Sequence, residues 1–479
     1  MSDNWDVIAV GAGTAGMVLS IFAARRGAKV LVLEIAPEAG GTLHISTGQM
    51  SAAGTKLQKK LGIIDTPQAH YDDVMRISKN TADPKLVRFA VDNAAETFDW
   101  LVENGLQVLD NHPVLGSGHE FYKERRYYWG ADGGRSVLNV VRPVFLKEVA
   151  AGRITLKVNT EARALVQDDS GRVVGVTATT KGEATQTYHG RNVVLTTGGY
   201  ASNAALFKEL NGHHQYANAA YPYSQGRGIE MVRAVGGWTR GAQNYLCSFG
   251  AILEDDNYPS KIAARPIHNP ALRQPWEILV NKKGERFVAE DNPSVDAREH
   301  ALLAQPELRM WMIFDDAIAK DAPPITAEWS KADQMAKFGS HPMFLKANTL
   351  EELAKKAGVD APGLAATVAS YNANLSGTDP FGRQHRPRAI AQGPFYAVRL
   401  HGASISSTVG VAVDDQLRLL DKDNKPIPGL YAAGEMLGAG QTMGHSFAGG
   451  MMVTPAMTFG RLLGDRMLQW ESEPLRAAG

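Results

Sequence analysis

Asp6-Val7-Ile8-Ala9-Val10-Gly11-Ala12-Gly13-Thr14-Ala15-Gly16 is the stretch on which the reading of this chain turns. Asp6 to Val10 is a run of small and β-branched residues, the composition of a buried strand. Ala15 to Arg26 favours helix, Gly27 stops it, and Lys29 to Leu33 forms a second strand that ends at Glu34. Together these pieces make one βαβ unit. Gly11 permits the tight turn, Gly13 lets the backbone approach a pyrophosphate, and Gly16 lets the helix pack on the strand. The helix N-terminus attracts the negative charge. Glu34 lies 23 positions after Gly11 and is placed to accept ribose hydroxyls. The other glycine cluster, Gly438-Ala439-Gly440-Gln441-Thr442-Met443-Gly444, has a different spacing, so one dinucleotide is expected. FAD and NAD both remain open on these residues alone.

A chain of 479 residues is too long for one ordinary core, so two lobes, or one domain interrupted by another, are expected. Lys plus Arg and Asp plus Glu are 50 each, which removes the basic surplus that nucleic acid or an anionic membrane requires. The single cysteine, Cys247, excludes an internal disulfide, a thiolate zinc cluster, an iron–sulfur centre and paired-thiol haem attachment. The redox centre implied is therefore organic, no metal is expected, and Cys247 reads as a small buried hydrophobe. The apolar run Val7–Val10 is too short for a signal peptide, and no stretch approaches the roughly 20 apolar residues of a membrane span. A cytoplasmic protein is expected.

Downstream, Gly40-Gly41-Thr42 with Ser46, Thr47 and Ser51 brings backbone near phosphate or a ring a second time. Helices are expected over Leu86–Glu103 and, with a kink at Pro143, over Ser136–Val149. Ile154–Val158, Ala162–Gln167 and Arg172–Thr179 read as strands of a small antiparallel layer, the last two joined at Asp168–Gly171. Asn192–Thr196 is a buried strand running into Thr197-Gly198-Gly199. From Asn244 to Ile405 the texture changes to prolines, histidines and charged turns, with helices at Leu350–Lys356 and Pro362–Leu375. The first texture returns with a strand at Gly429–Ala433 and a helix opened by Thr454-Pro455. The expected division is 1–243 and 406–479 for a Rossmann-like α/β domain split in sequence, and 244–405 for an inserted α+β domain.

These segments resemble the FAD-dependent fumarate reductase and 3-ketosteroid dehydrogenase superfamily over nearly the whole chain. The motifs that carry the resemblance are GAGTAG with Glu34, GGTLHISTGQMSAAGT from Gly40, LTTGGYASN from Leu195, ILVNKKGERFVAE from Ile278, PFYAV from Pro394, and GLYAAGE through TPAMTFGRLLG from Gly429. The resemblance implies that the dinucleotide is FAD, that the inserted domain caps it, and that substrate binds between the lobes. The implied FAD contacts are Gly11, Gly13, Thr14, Ala15, Gly16 and Glu34, then Gly40, Gly41, Thr42, Ser46 and Thr47. Further along they are Ala162, Thr197, Gly198, Gly199, Gly434 and Glu435, and finally Gly449, Gly450, Met451, Val453 and Thr454. The last helix, opening at Thr454, would direct a partial positive charge at the flavin pyrimidine edge. His44 falls two residues out of register with the histidine that attaches FAD in succinate dehydrogenases, so non-covalent FAD is expected.

Departures from the family pattern bear on substrate. The proton-delivering arginine of fumarate reductases corresponds to Ser294 here, and their carboxylate-clamping arginine to Phe447. Their proton-path glutamate falls at Pro270 and a substrate histidine at Ser406, while the path's other arginine survives as Arg273. The steroid branch matches Gly444-His-Ser-Phe-Ala-Gly449 better, yet its ketone-polarising tyrosine is Phe447 and its proton-abstracting tyrosine falls at Ser294. A replacement acid or base is sought in Tyr128 and Tyr127, near which the steroid branch also contributes a tyrosine, in His445 of the glycine-rich loop, and in Arg298, one helical turn past Ser294. Against these stand packing aromatics and a solvated surface arginine. Gly449, Gly450 and the N–H of Met451 form the expected oxyanion site, because backbone donors survive side-chain loss.

The expected activity is hydride transfer between flavin N5 and the carbon β to a carbonyl, in the dehydrogenase or ene-reductase direction, with an external electron donor or acceptor. One alternative is reduction of an unsaturated acid at an anion site built from Arg125, Arg126, Arg273 and Arg298. Another is a non-catalytic or electron-carrying flavoprotein.

Overall fold

The structure, a computed structural model, describes residues 4–470. The βαβ reading is realised directly: β1 (Asn4–Val10) leads through the glycine turn into α1 (Thr14–Arg25) and on to β2 (Val30–Leu33), all four of whose residues are buried. β1 pairs in parallel with β2, Val7 opposite Val30 and Val10 opposite Leu33. A Cβ at Gly16 would lie 1.9 Å from the carbonyl oxygen of Gly11, so only glycine lets the helix sit this close to the turn. α1 also packs on the C-terminal helix Val453–Trp470, where Cβ atoms at Gly460 and Gly464 would each lie 2.5 Å from the carbonyl oxygens of Ala15 and Leu19. Two glycines four apart let these backbones touch.

The chain divides into two compact units. The first comprises residues 1–211, 220–245 and 406–479, and the second 212–219 and 246–405. In chain order the first unit continues with β3 (Met50–Ser51), α2 (Lys56–Lys60), α3 (Pro67–Ile77), α4 (Pro84–Glu103), β4 (Tyr127–Tyr128) and α5 (Gly134–Ala150), which contains Pro143. Four strands follow: β5 (Ile154–Lys157), β6 (Thr160–Gln167), β7 (Val173–Thr180) and β8 (Thr185–Leu195). The main sheet runs Arg418–Leu420, Pro426–Ala432, β8, β1, β2, β5, and all its neighbours are parallel except the first pair.

The antiparallel strands do not form a separate layer, in contrast to the reading from sequence. β8 is 11 residues long: its first half, Thr185–His189, pairs with β7, while Asn192–Leu195 pairs with β1. One strand therefore belongs to both arrangements, and β6 and β7 extend the main sheet as a branch.

The second unit is built on a six-stranded sheet ordered Ile262–Ala264, Ser248–Leu253, Phe395–Ala403, Arg309–Asp315, Ile278–Val280, with Phe344–Ala347 also pairing to Phe395–Ala403. Helices Leu350–Ala357, N-capped by Thr349, and Ala361–Ala373, N-capped by Asp360, lie close to the segments expected. The RFVAE segment is held by its own charges: buried Arg286 binds Glu290 at 2.8 and 2.6 Å and also reaches Asp379. Cys247 is buried, and burial pushes its thiol up to about 12, which leaves it unreactive.

Helix Val295–Leu303 carries an unusual load. Ser294 caps it, accepting the Ala297 N–H, and Arg298 is 1% exposed instead of lying on the surface. Burial holds the Arg298 guanidinium down to about 10, and burial with the neighbouring Asp296 pushes Glu299 up to about 8, against the opposing pull of Arg298 and the Phe249 N–H. Glu299 is thus protonated in the folded chain at neutral pH and ionised in the unfolded one. Its contribution to stability is complete below about pH 4.5 and is lost as pH rises toward 8. Thermal unfolding should show a melting temperature that falls across this range, and Glu299→Gln should be the more stable protein at pH 8 by up to a few kcal/mol, with a flatter profile. Parallel profiles for the two proteins would show that the carboxyl is ionised in the fold.

Candidate functional site

The nucleotide end of the first unit is assembled from backbone. Gly11 adopts φ +107° and packs on Thr196, whose hydroxyl donates to the Gly11 carbonyl at 2.8 Å. A Cβ at Gly13 would meet only the Cα of Gly41, at 3.9 Å, so this side of the turn is open to a ligand. Gly40 and Gly41, both at positive φ, bring the second glycine turn onto the first, and the Gly40 N–H donates to Ala12 at 2.9 Å. Glu34 is 5% exposed, and its carboxylate accepts the N–H of Ala12 at 2.6 Å and of Ala36 at 2.8 Å. Burial pushes its pKa up, while the two N–H groups pull it back. The carboxylate is thus aimed by the same turn that leaves Gly13 open.

Further cofactor candidates gather in the same unit. Thr197 donates to the Met436 sulfur at 2.9 Å, Gly198 has φ +75°, and Gly199 packs on Ser407. Ser407 donates its N–H to half-buried Glu435 at 2.9 Å, and desolvation raises the pKa of that carboxyl. Gly434, at φ +79°, faces Ala15, next to Thr14 at the start of α1. Thr42 and His44 lie in the single turn Gly41–His44, and the Ser46 hydroxyl is buried with no partner, while Thr47 is exposed. Ala162 is buried in β6 beside Ala178. The residues present fit a dinucleotide: an open glycine turn, one buried and one half-buried carboxylate, and an orphaned hydroxyl.

The other end of the site is a loop on a short ladder. In the antiparallel pair β3–β4, Ser51 stands opposite Tyr127 and Met50 opposite Tyr128. Successive side chains of a strand point to opposite faces, so the two tyrosines part company. Tyr128 turns to Phe98, with its hydroxyl in hydrogen bonds to Thr55 (3.0 Å) and the Ala52 carbonyl (3.3 Å), and so packs and ties down β3. Tyr127 is 1% exposed with no partner for its hydroxyl, and a Cβ at Gly449 would lie 2.8 Å from its ring carbon Cζ. Gly450, at φ +81°, sits on Ser51, where a Cβ would lie 2.3 Å from the Ser51 nitrogen. Thr454, one residue after the helix starts at Val453, accepts the Ser51 N–H at 2.9 Å.

The oxyanion reading narrows here, because the Met451 N–H is spent on the Ala448 carbonyl at 3.2 Å, while those of Gly449 and Gly450 have no backbone partner among the described residues. Phe447 lies tilted against His119, ring centroids 4.2 Å apart, and His445 anchors the loop through its N–H to Thr81 at 3.0 Å. The loop also rests on residues that carried no motif. The Tyr122 hydroxyl donates to the Gly449 carbonyl, and buried His70 bonds Ser51 at 3.1 Å.

The arginines are mostly engaged. Arg126, fully buried, is bound by Asp65 at 2.7 and 2.9 Å and by Asp73 at 2.7 Å, and Arg125 is exposed. In the second unit Arg273 is closed into a two-point pair with Glu277 at 2.8 and 2.9 Å, and Arg298 donates to the carbonyls of His268 and Ser294. No anion site forms from Arg126 and Arg273 without breaking buried pairs, a cost of about 3–5 kcal/mol each.

Glu34→Ala removes the expected ribose acceptor and releases the Ala12 N–H. A charge-assisted hydrogen bond of about 1.5–3 kcal/mol corresponds to roughly ten- to hundredfold weaker retention of the dinucleotide, measured by equilibrium dialysis. Equal affinity in the variant would show that the carboxylate serves the turn alone.

Comparison with known proteins agrees with this geometry. A family model described as FAD binding domain matches residues 6–451. A fumarate reductase (cytochrome) of Shewanella frigidimarina is 30% identical over 477 residues, covering 98% of this chain and 78% of that protein. A vinyl phenol reductase of Lactiplantibacillus plantarum is 28% identical, covering 90% of each chain. The solved 3-ketosteroid Δ1-dehydrogenase of Sterolibacterium denitrificans shares the fold, with a TM-score of 0.75 at 20% identity, covering 98% of this chain and all of that one. Among the described residues no helix is long and apolar enough to cross a membrane. With its open glycine turns, its buried Glu34 and a family match spanning nearly its whole length, the chain belongs to the FAD binding domain family.

Proposed function

We propose that the substrate of this FAD-dependent oxidoreductase of carbon–carbon bonds is a ketone or its α,β-unsaturated counterpart, activated at its carbonyl oxygen by Tyr127. When bound, FAD supplies N5 as acceptor or donor of the hydride on the β-carbon. The observation that supports the reading is the Tyr127 hydroxyl, buried, without a partner and against Gly449. Burial raises its pKa far above that of a free phenol, with Tyr122 adding to the shift, so it keeps its proton and acts as a hydrogen-bond donor, not a base. A donor held in a water-poor site stabilises the charge that develops on an enolate oxygen. The Gly450 N–H offers a second donor.

A carbonyl suits these neutral donors better than a carboxylate does. Binding a carboxylate calls for a cation, and Phe447 occupies the column where the resemblance puts the clamping arginine, while Arg126 and Arg273 are already paired. A vinyl phenol reductase among the relatives is named for a substrate without a carboxylate, and the fumarate reductase stands for the opposite case.

The test is stopped-flow oxidation of the reduced enzyme by cyclic enones, fumarate and urocanate. Enones should turn over, and the two acids should stay near background. Tyr127→Phe should slow the enone reaction by about 10²-fold with FAD still bound, as expected when an oxyanion donor is lost, and Tyr128→Phe should remain within a few fold of wild type. Faster oxidation by fumarate or urocanate than by any enone would overturn the substrate class, and a wild-type rate in Tyr127→Phe would overturn the role of the tyrosine.

A further inference from the structure

Three side chains meet in line beneath the Gly449–Gly450 loop. Tyr122 has one hydroxyl proton, and it goes to the Gly449 carbonyl. The Ser51 oxygen lies 3.4 Å from the same phenol. Ser51 is also bonded to His70 Nε2, at 3.1 Å. The contacts run from His70 through Ser51 and Tyr122 to the carbonyl of Gly449. In its Nε2–H tautomer, neutral His70 donates to the Ser51 oxygen. Nδ1, buried with no partner, is then a bare lone pair and not a stranded donor, the less costly arrangement. Burial, with Arg126 nearby, keeps the ring uncharged.

A trans peptide is planar, so its C=O and the following N–H point in opposite directions. Holding the Gly449 carbonyl toward Tyr122 forces the Gly450 N–H to the far side of the loop. That N–H has no backbone partner among the described residues. The position tolerates no side chain, since Ser51 lies directly beneath it.

We propose that Tyr122, Ser51 and His70 are positioning residues that fix the Gly449–Gly450 peptide, so that the Gly450 N–H is presented to an oxygen that gains negative charge in hydride transfer. That oxygen is either the pyrimidine-edge carbonyl of the reduced flavin or the enolate oxygen of the substrate. The inference rests on the reading that FAD and substrate lie on the far side of this loop, and it extends the site to three residues far apart in sequence.

The experiment uses the FAD-loaded full chain and two readouts: the midpoint potential of the bound flavin by dye equilibration, and the single-turnover rate with an enone. Tyr122→Phe removes the donor while keeping the ring. A more negative potential in the variant identifies the flavin oxygen as the acceptor. An unchanged potential with a roughly tenfold slower turnover identifies the substrate oxygen. His70→Gln, which returns an N–H near the place of Nε2, should restore the wild-type values, whereas His70→Asn, too short to reach Ser51, should reproduce Tyr122→Phe. If Tyr122→Phe does not hold FAD, Ser51→Ala breaks the same chain at another link. A wild-type potential and rate in Tyr122→Phe, or in Ser51→Ala should that stand in, would overturn the proposal, as would equal behaviour of the two His70 variants. If the wild-type enzyme is inert to enones, the ketone reading fails, and the potential alone still decides the role of Tyr122.

Discussion

Gly16 lets α1 sit against the carbonyl of Gly11, and the nucleotide site depends on that contact. With a Cβ position 1.9 Å from that oxygen, any side chain at Gly16 would push α1 off β1 and tilt the helix N-terminus away from the turn. The same helix is gripped from its other side by Gly460 and Gly464 of the C-terminal helix. Glycine is costly inside a helix, by about 1 kcal/mol relative to alanine. Here that cost is offset by close packing, which ties the helix Val453–Trp470 to α1 and its glycine turn.

Desolvation sets the character of the polar groups around that turn. Glu34 and Glu435 are carboxylates taken largely out of water, and burial raises both pKa values. Backbone N–H groups offset the penalty: Ala12 and Ala36 for Glu34, Ser407 for Glu435. Because these donors belong to the turns that shape the site, the carboxylates are aimed as well as stabilised. Tyr127 lacks such compensation within the chain, which is why its hydroxyl is the more informative group: a buried donor without a partner costs about 1–3 kcal/mol unless a ligand satisfies it.

The βαβ unit was legible because its signal is local: glycine spacing, a periodic helix and an acid at a fixed interval all fall within one short segment. The inserted unit was legible as a change in texture, although Gly212–Ala219, which joins it, carries no signal of its own. What sequence could not resolve depends on register. Tyr127 and Tyr128 are adjacent and chemically alike, and only the pairing of Ser51 with Tyr127 decides which hydroxyl meets the loop. Arg298 looked like a surface residue because its helix has no apolar face, yet the fold buries it beneath His268. Tyr122 and His70 were missed for a related reason. Nothing in their neighbours marks them, and only the fold brings them to Ser51 and the Gly449 loop.

The loss of charged and hydroxyl side chains from the Phe447 column need not leave a carbonyl without activation. A donor on a long side chain carries rotamer entropy that must be lost at each turnover, about 2 kcal/mol for arginine. A peptide N–H has no such freedom once its plane is held, and the Tyr122 bond to the Gly449 carbonyl holds it. A phenol packed on a glycine is nearly as rigid, because the ring leaves only two torsions to fix. Under the proposed ketone reading, Phe447, tilted against His119, keeps an apolar wall where a solvated cation would otherwise bring water into the site. Neutral donors beside such a wall gain strength from the low local dielectric, and the selectivity expected on that reading is for a neutral oxygen that becomes charged over one that is charged from the start.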